Sequence, residues 1–276
     1  ISVAQLLFTN QGLQDRKRFL NAKNALTKIL DLRVVPIVNE NDSVAVEELK
    51  FGDNDMLSAL VAAMIDADLL INLTDVDGFY EPLTEGGNRK VIHTVRRIRR
   101  EWLAATEART GFSIGGMSAK LKAAQVALKA GIPVVIANGR TKDILSSIME
   151  GESSGTLFLP DGAGLKGKKI WLSFFPSPAG QIVVDHGAVN AIVRDGKSLL
   201  ASGIVRTAGQ FPRKSCVSVM TEDGREIARG IAFYSSSEIS AIAGAPSSAI
   251  RNKLELTDQD EAAPEVIHRD DLAIVS

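Results

Sequence analysis

From Asp15 to Leu32 the apolar residues Phe19, Ala22, Leu26, Ile29 and Leu30 recur at helical spacing, and Val34-Val-Pro-Ile-Val38 follows as a short β-branched run. This predicts a helix feeding a buried strand. The pattern returns twice: a helix over 56–67 before the strand Leu69-Leu-Ile-Asn-Leu73, and a helix over 118–130 before Val134-Val-Ile-Ala137. A further amphipathic helical pattern begins almost at Ile1. Alternation at this spacing predicts right-handed β-α-β units, hence an α/β fold with a mostly parallel sheet sandwiched by helices. Ligands collect at the carboxyl ends of the strands in such sheets. Three segments qualify: Asn39-Glu-Asn-Asp42, Thr74-Asp-Val-Asp-Gly78 and Asn138-Gly-Arg140.

Between Pro160 and Pro178 the texture changes to Gly, Pro and Lys. Beyond it come short β-rich runs: Gln181-Ile-Val-Val184, Ala191-Ile-Val193, Ser215 to Met220 and Gly230 to Tyr234, with Asp195-Gly196 and Asp223-Gly224 as hairpin turns. The reading is a first domain over 1–165, a linker over 166–179, a compact β-rich barrel over 180–262 and a tail over 263–276.

Composition narrows the class. A chain of 276 residues with 45% hydrophobic and 24% charged positions has enough apolar material for two folded domains. Its formal net charge of −1 gives no overall attraction to nucleic acid or anionic membrane. The run Arg96-Arg97-Ile-Arg99-Arg100 reads as a solvated helix face flanked by Glu101. Asp66 and Asp68 interrupt the most apolar stretch, so no membrane span is expected. The single cysteine, Cys216, has no partner within the chain and sits in a strand-like setting, which fits a reducing, cytoplasmic location. His93, His186 and His268 show no ligand-like spacing, and Trp102 and Trp171 read as packing residues.

Candidate chemistry gathers in the acidic loops Asn39-Glu-Asn-Asp42, Gly52-Asp-Asn-Asp55, and Thr74-Asp75 with Asp77. Carboxylates collected at strand ends repel one another unless a cation or cationic substrate lies among them, and hard oxygen ligands suit Mg²⁺ carried by nucleotide phosphates. Each Asp taken alone serves equally well as a cap or turn residue, with Asp55 an N-cap candidate and Asp77-Gly78 a turn. Gly115-Gly-Met-Ser-Ala-Lys120 opens a helix, where the glycines let backbone approach an anion and a lysine one turn in neutralises phosphate charge. It lacks the Walker A spacing.

Pro36-Ile-Val-Asn-Glu-Asn-Asp-Ser-Val-Ala45, Gly52-Asp-Asn-Asp-Met-Leu-Ser-Ala-Leu60, Leu73-Thr-Asp75, Gly115-Gly-Met-Ser-Ala-Lys120, Gly155-Thr-Leu-Phe158 and the closing His268-Arg-Asp-Asp271 together resemble, in order, the segments of the bacterial glutamate 5-kinase family. The resemblance spans essentially the whole chain. It implies an amino-acid-kinase-type catalytic domain that transfers the γ-phosphoryl group of ATP to the side-chain carboxylate of L-glutamate, the first step of proline synthesis. Asp42 and Asn54, with Asn39 and Asn41 in the same loop, then fall at glutamate-binding positions. Thr74, Asp75 and the segment Ile114, Gly115, Gly116, Met117, Ser118, Ala119 and Lys120 fall at nucleotide-binding positions. Lys120 is implied to offset charge on the transferring phosphoryl group, while Asp53 and Asp55 orient backbone and lysine groups. The family carries a Thr where this chain has Ile114. It also begins its kinase domain with a glycine-rich turn and a serine-containing glutamate loop that this sequence does not contain, so the chain as written is expected to lack about the first third of that domain and to be inactive. ATP and Mg²⁺ as cofactors, proline as feedback inhibitor and a homo-oligomer, dimer or tetramer, are further implications.

The second domain resembles a PUA module, a fold that binds RNA in many modifying enzymes. From Gly180 to Ser276 there are 10 Lys and Arg against 13 Asp and Glu, a balance of −3 without the basic footprint of a nucleic-acid binder. Arg206, Arg213 and Lys214 are the candidates for a local patch. A structural or regulatory role is therefore preferred to RNA binding. Two other readings are an RNA-binding protein on an α/β scaffold and a related kinase of the same fold acting on another acceptor.

Overall fold

The structure, a computed structural model, describes residues 1–43, 54–80, 90–110, 116–162, 164–174, 176–257 and 260–275, except the side chains of residues 10, 11 and 107–110. It divides into two compact units, Ile1–Lys166 and Gly167–Ser276.

In the first unit β1 (Val3–Phe8) leads through α1 (Asn10–Gln14) and α2 (Arg16–Asp31) to β2 (Val35–Glu40). Asp15 caps α2, its carboxylate accepting from the Arg18 N–H at 2.8 Å. β1 and β2 pair in parallel, Val3 opposite Val35 and Phe8 opposite Glu40. The opening residues, expected as a helix, are thus a strand. Val-Ala-Gln-Leu-Leu-Phe also fits a period of two, and the partner strand supplies a hydrogen-bond ladder that outweighs local preference. Nor is β2 buried as expected: among the described residues it hydrogen-bonds only to β1, which leaves Val35 and Ile37 about half exposed (49% and 50%).

The chain continues as α3 (Asn54–Met64), β3 (Leu70–Thr74), β4 (Thr94–Val95), α4 (Arg100–Thr110), α5 (Met117–Lys129), β5 (Val134–Asn138), α6 (Ile144–Met149) and β6 (Thr156–Phe158). These strands form a sheet in the order β3-β5-β6-β4. β3 and β5 are parallel, with Thr74 opposite Asn138. β6 runs antiparallel to β5. Val134 to Ala137 is buried at every position, as a central strand covered on both faces must be. Gly155 enters β6 with φ +90°, and a Cβ there would lie 2.3 Å from the Ile136 carbonyl oxygen, so only glycine fits. Helices α3 and α5 pack together, and the buried positions of both are rich in alanine, Ala59, Ala62 and Ala63 in one and Ala123, Ala124 and Ala127 in the other. Such small side chains let helix backbones approach closely. The basic run is solvated but mostly not helical: α4 starts at Arg100, and Arg99 stacks over Trp102 at 5.1 Å and meets Glu101 at 3.3 Å.

The second unit opens with α7 (Lys168–Phe174), inside the segment read as a linker. Ile170, Trp171 and Leu172 are buried there, because α7 packs on the last strand of the same unit. Then follow β7 (Gln181–Val184), α8 (His186–Val193), β8 (Leu199–Leu200), β9 (Ile204–Ala208), β10 (Cys216–Thr221), β11 (Glu226–Ile231), α9 (Ser236–Ile242), α10 (Ile250–Lys253), β12 (Glu265–Ile267) and β13 (Leu272–Ile274). Ala191-Ile-Val193, expected as a strand, is helical: the Asp185 carboxylate accepts from the Ala188 N–H at 2.7 Å and starts α8. Asp195-Gly196 accordingly closes a helix rather than a hairpin, whereas Asp223-Gly224 does join β10 to β11. The residues read as a tail supply β12 and β13, each paired within a sheet. Five strands run in the order β13-β11-β10-β7-β9, with β7 and β10 parallel. Burial pushes the Cys216 thiol up to about 11, consistent with an inert core cysteine.

Arg213, one of the three basic-patch candidates, is not available as one. Its Nε donates to both Glu238 oxygens at 3.0 and 2.9 Å, and its guanidinium lies over the Tyr234 ring at 5.6 Å. Glu238 also accepts from the Ser235 N–H at 2.8 Å and completes the capping box of α9. Lys214 lies 4.0 Å from Glu261. Hydrogen bonds from Arg213 hold the Glu238 carboxyl well below the ordinary 4.5, at about 2. A carboxyl depressed on folding contributes stability above its unfolded pKa and loses it as pH falls through the folded one. Stability of this unit, followed by chemical denaturation, is expected to decline between about pH 4.5 and pH 2. In Glu238→Gln that part of the decline should be gone, and an identical pH profile would contradict the assignment.

Candidate active site

α5 begins at a glycine. Gly116 is its N-cap, with φ −75° and ψ −178° and no side-chain cap, so the first backbone N–H groups of α5 receive nothing from their own cap. Lys120 sits on the first turn of this helix. An ammonium there faces the positive end of the helix dipole, which is unfavourable alone. A carboxylate compensates: Lys120 Nζ donates to Asp55 Oδ2 at 2.9 Å and Oδ1 at 3.1 Å, with the two side chains only 14% and 12% exposed.

Asp55 is not an N-cap. α3 starts at Asn54, so Asp55 lies inside the first turn, and its oxygens serve side chains from two other elements. A carboxylate at this helix end is favoured by the dipole of α3. The second partner is Asn72, whose Nδ2 donates to Asp55 Oδ1 at 2.6 Å from the middle of β3. From the sequence Asn72 reads only as part of a strand. Its signal was available, since a polar amide inside Leu70-Ile-Asn-Leu73 needs a buried hydrogen-bond partner.

Ser118 supplies a second unbalanced group. Its hydroxyl is buried and has no hydrogen-bond partner among the described residues, on the first turn of α5. A buried hydroxyl without a partner costs free energy, and a bound acceptor removes that cost.

The other predicted residues fall at the carboxyl ends of strands. Thr74 ends β3, two residues beyond Asn72 and therefore on the same face, and its Oγ1 donates to Asp75 Oδ1 at 3.2 Å. The Gly139 N–H donates to the Thr74 carbonyl at 2.8 Å. Asn138 Nδ2 donates to Asp77 Oδ1 at 2.9 Å, and the Tyr80 hydroxyl donates to the other Asp77 oxygen at 3.2 Å. Asp77 thus braces the ends of β3 and β5. Asn39 lies near the end of β2, while Asn41 continues the ladder, its N–H donating to Phe8 O at 2.8 Å. The Ser43 hydroxyl donates to Asn41 Oδ1 at 2.7 Å, just after the exposed Asp42. Asn54 lines a cavity of about 460 Å³ with Pro36 and Val38 of β2 and Leu57 and Val61 of α3. Asp53, Ile114 and Gly115 lie outside the described residues. Met117 and Ala119 occupy the first turn of α5 with Ser118.

The amino acid kinase family profile matches residues 1–138, and the PUA domain profile matches residues 180–254. The glutamate 5-kinase of Geobacter sp. (strain M21) is 45% identical over 278 residues, covering 100% of this chain and 73% of that protein. That of Caldanaerobacter subterraneus subsp. tengcongensis is 44% identical, covering 99% and 73%. The chain belongs to the glutamate 5-kinase family. Among solved structures, carbamate kinase from Giardia lamblia bound to AMP-PNP is 19% identical, covers 58% of this chain and 62% of that one, and has a TM-score of 0.42, too distant to add to the family assignment.

Two stability effects follow from this geometry. Asp55→Ala leaves the Lys120 ammonium shielded from water at a helix amino end, and urea denaturation should register a loss of about 3 kcal/mol. Ser118→Ala removes the unpartnered hydroxyl and should be neutral or stabilising by about 1 kcal/mol. A clear destabilisation by Ser118→Ala would mean that the hydroxyl is already satisfied.

Proposed function

We propose that this protein transfers the γ-phosphoryl group of ATP to the side-chain carboxylate of L-glutamate, forming L-glutamyl 5-phosphate at the entry to proline synthesis. The observation that carries the reading is the Lys120–Asp55 pair, where the amino ends of α3 and α5 meet. Two positive helix ends and one ammonium against one carboxylate leave a site suited to an anion. The unpartnered Ser118 hydroxyl fits a phosphate oxygen as its missing acceptor.

In the reaction one carboxylate oxygen of glutamate bonds to the γ-phosphorus as the bond to the bridging oxygen breaks, and ADP departs. The attacking carboxylate is ionised at neutral pH, so the enzyme need not supply a general base. Lys120 offsets charge on the transferring group, and Asp55, with Asp53, holds it in place. Asp42, Asn54, Asn39 and Asn41 bind glutamate, the Asp42 carboxylate suiting its α-ammonium. Thr74, Asp75 and the segment 114–120 bind nucleotide. Mg²⁺ brought in with the nucleotide would supply charge neutralisation to the transferring phosphoryl group. Among the described residues no group of three or more His, Cys, Asp or Glu side chains is placed to hold a metal. Proline as inhibitor, a homo-oligomer and a cytoplasmic setting complete the proposal; among the described residues no helix is long and apolar enough to cross a membrane.

RNA binding by the second unit is the less favoured reading, because residues 180–276 balance at −3 and Arg213 is occupied by Glu238. Salt-dependent RNA affinity in the full-length protein would reverse that order.

The deciding assay is Mg-ATP-dependent acyl phosphate formation, trapped with hydroxylamine, on the full-length protein. Turnover is expected with L-glutamate and not with L-aspartate or N-acetylglutamate. Lys120→Ala should lower kcat by about 100-fold or more with a modest change in glutamate KM. Unchanged turnover removes Lys120 from the mechanism, and a folded protein inactive on glutamate removes the proposal.

A further inference from the structure

Asp55 is held from two directions. Lys120 approaches both of its oxygens, at 2.9 and 3.1 Å, from the first turn of α5. Asn72 approaches Oδ1 at 2.6 Å from β3. These two holds differ mechanically. The lysine ammonium ends a flexible four-carbon stem and is a point charge that tolerates many carboxylate orientations. The Asn72 amide is 9% exposed, on a strand hydrogen-bonded to the buried β5. A planar amide donating to a planar carboxylate from a fixed strand selects one orientation of the Asp55 plane, and a charged acceptor strengthens the bond. Without it, Asp55 and Lys120 remain paired but are free to pivot together.

A second relation joins Asn72 to the same chemistry. It lies two residues before Thr74 on one face of β3, so about 7 Å of strand separates the group that fixes Asp55 from the strand end. β3 therefore sets both positions at once.

We propose that Asn72 is a positioning residue for phosphoryl transfer, acting through Asp55 to fix where Lys120 presents its charge. This rests on the kinase reading above. In this reading Asn72 acts on the reaction only through Asp55 and Lys120. The competing account is that Asn72 only fills space beside a polar neighbour, in which case leucine, similar in volume and apolar, serves as well in this strand.

The test uses the full-length protein with Asn72→Leu, Asp55→Asn and the double variant, measured by the hydroxylamine assay and by thermal unfolding. Asn72→Leu is expected to keep a melting point near the parent's while kcat falls about 10-fold and glutamate KM stays within about twofold, the signature of an interaction used in the transition state. In the Asp55→Asn background the same change should cost little more, because residues acting as one unit are not additive. A kcat for Asn72→Leu equal to the parent's overturns the proposal, as does a double variant in which the two losses multiply in full. No turnover by the parent on glutamate overturns the kinase reading, and this inference with it, so the two failures are told apart.

Discussion

An ammonium ion shielded from water on the first turn of a helix is the constraint around which the first unit is arranged. Lys120 sits at the positive end of α5, where the peptide dipoles oppose it and little solvent reaches it. Only a nearby carboxylate makes the position tenable. That carboxylate, Asp55, occupies the matching end of α3, where the dipole favours it. The packing of α3 on α5 brings the two helix starts together, and β3 braces the carboxylate from the side through Asn72. Helix packing, strand placement and charge all converge on the same few atoms.

Much of this architecture was readable in advance, and the failures have local causes. Helix α2 and strand β7 lay where periodicity placed them, because each pattern is bounded by its own signals, the Asp15 cap and the Gly180 entry. β1 reads locally as helix because its ladder partner stands 32 residues further on, beyond any local window. Ala191 to Val193 looked like strand because β-branched residues dominate it, yet the Asp185 cap had already committed the chain to helix. At the site, Lys120 and Asp55 each stand out in the sequence, but their pairing spans 65 residues and no spacing rule joins them. Asn72 is inconspicuous because a single amide in an apolar run carries no local sign of which residue it bonds.

The second unit illustrates how charge counts mislead when read singly. Arg213 looks like part of a basic surface, but the Glu238 carboxylate and the Tyr234 ring consume it. Tyr234 is fully buried, and its hydroxyl donates to the Ala263 carbonyl at 2.6 Å while accepting from the Ala263 N–H at 2.9 Å. This fixes the segment leading to β12. The strongest polar interactions here are spent on internal order.

The parallel pairing of β7 with β10 carries a cost in time. β10 and β11 are joined by a tight turn and meet as soon as both exist, but Gln181 must wait for Ser218, 37 residues later in the chain. At the usual pace of translation that interval is about 2–7 s, during which Ile182, Val183 and Val184 have left the synthetic machinery without their final neighbour. β7, the first strand of this sheet to be made, gains its last neighbour only when β10 arrives, so the nascent protein passes through a stage in which one apolar edge of β7 is open to other chains.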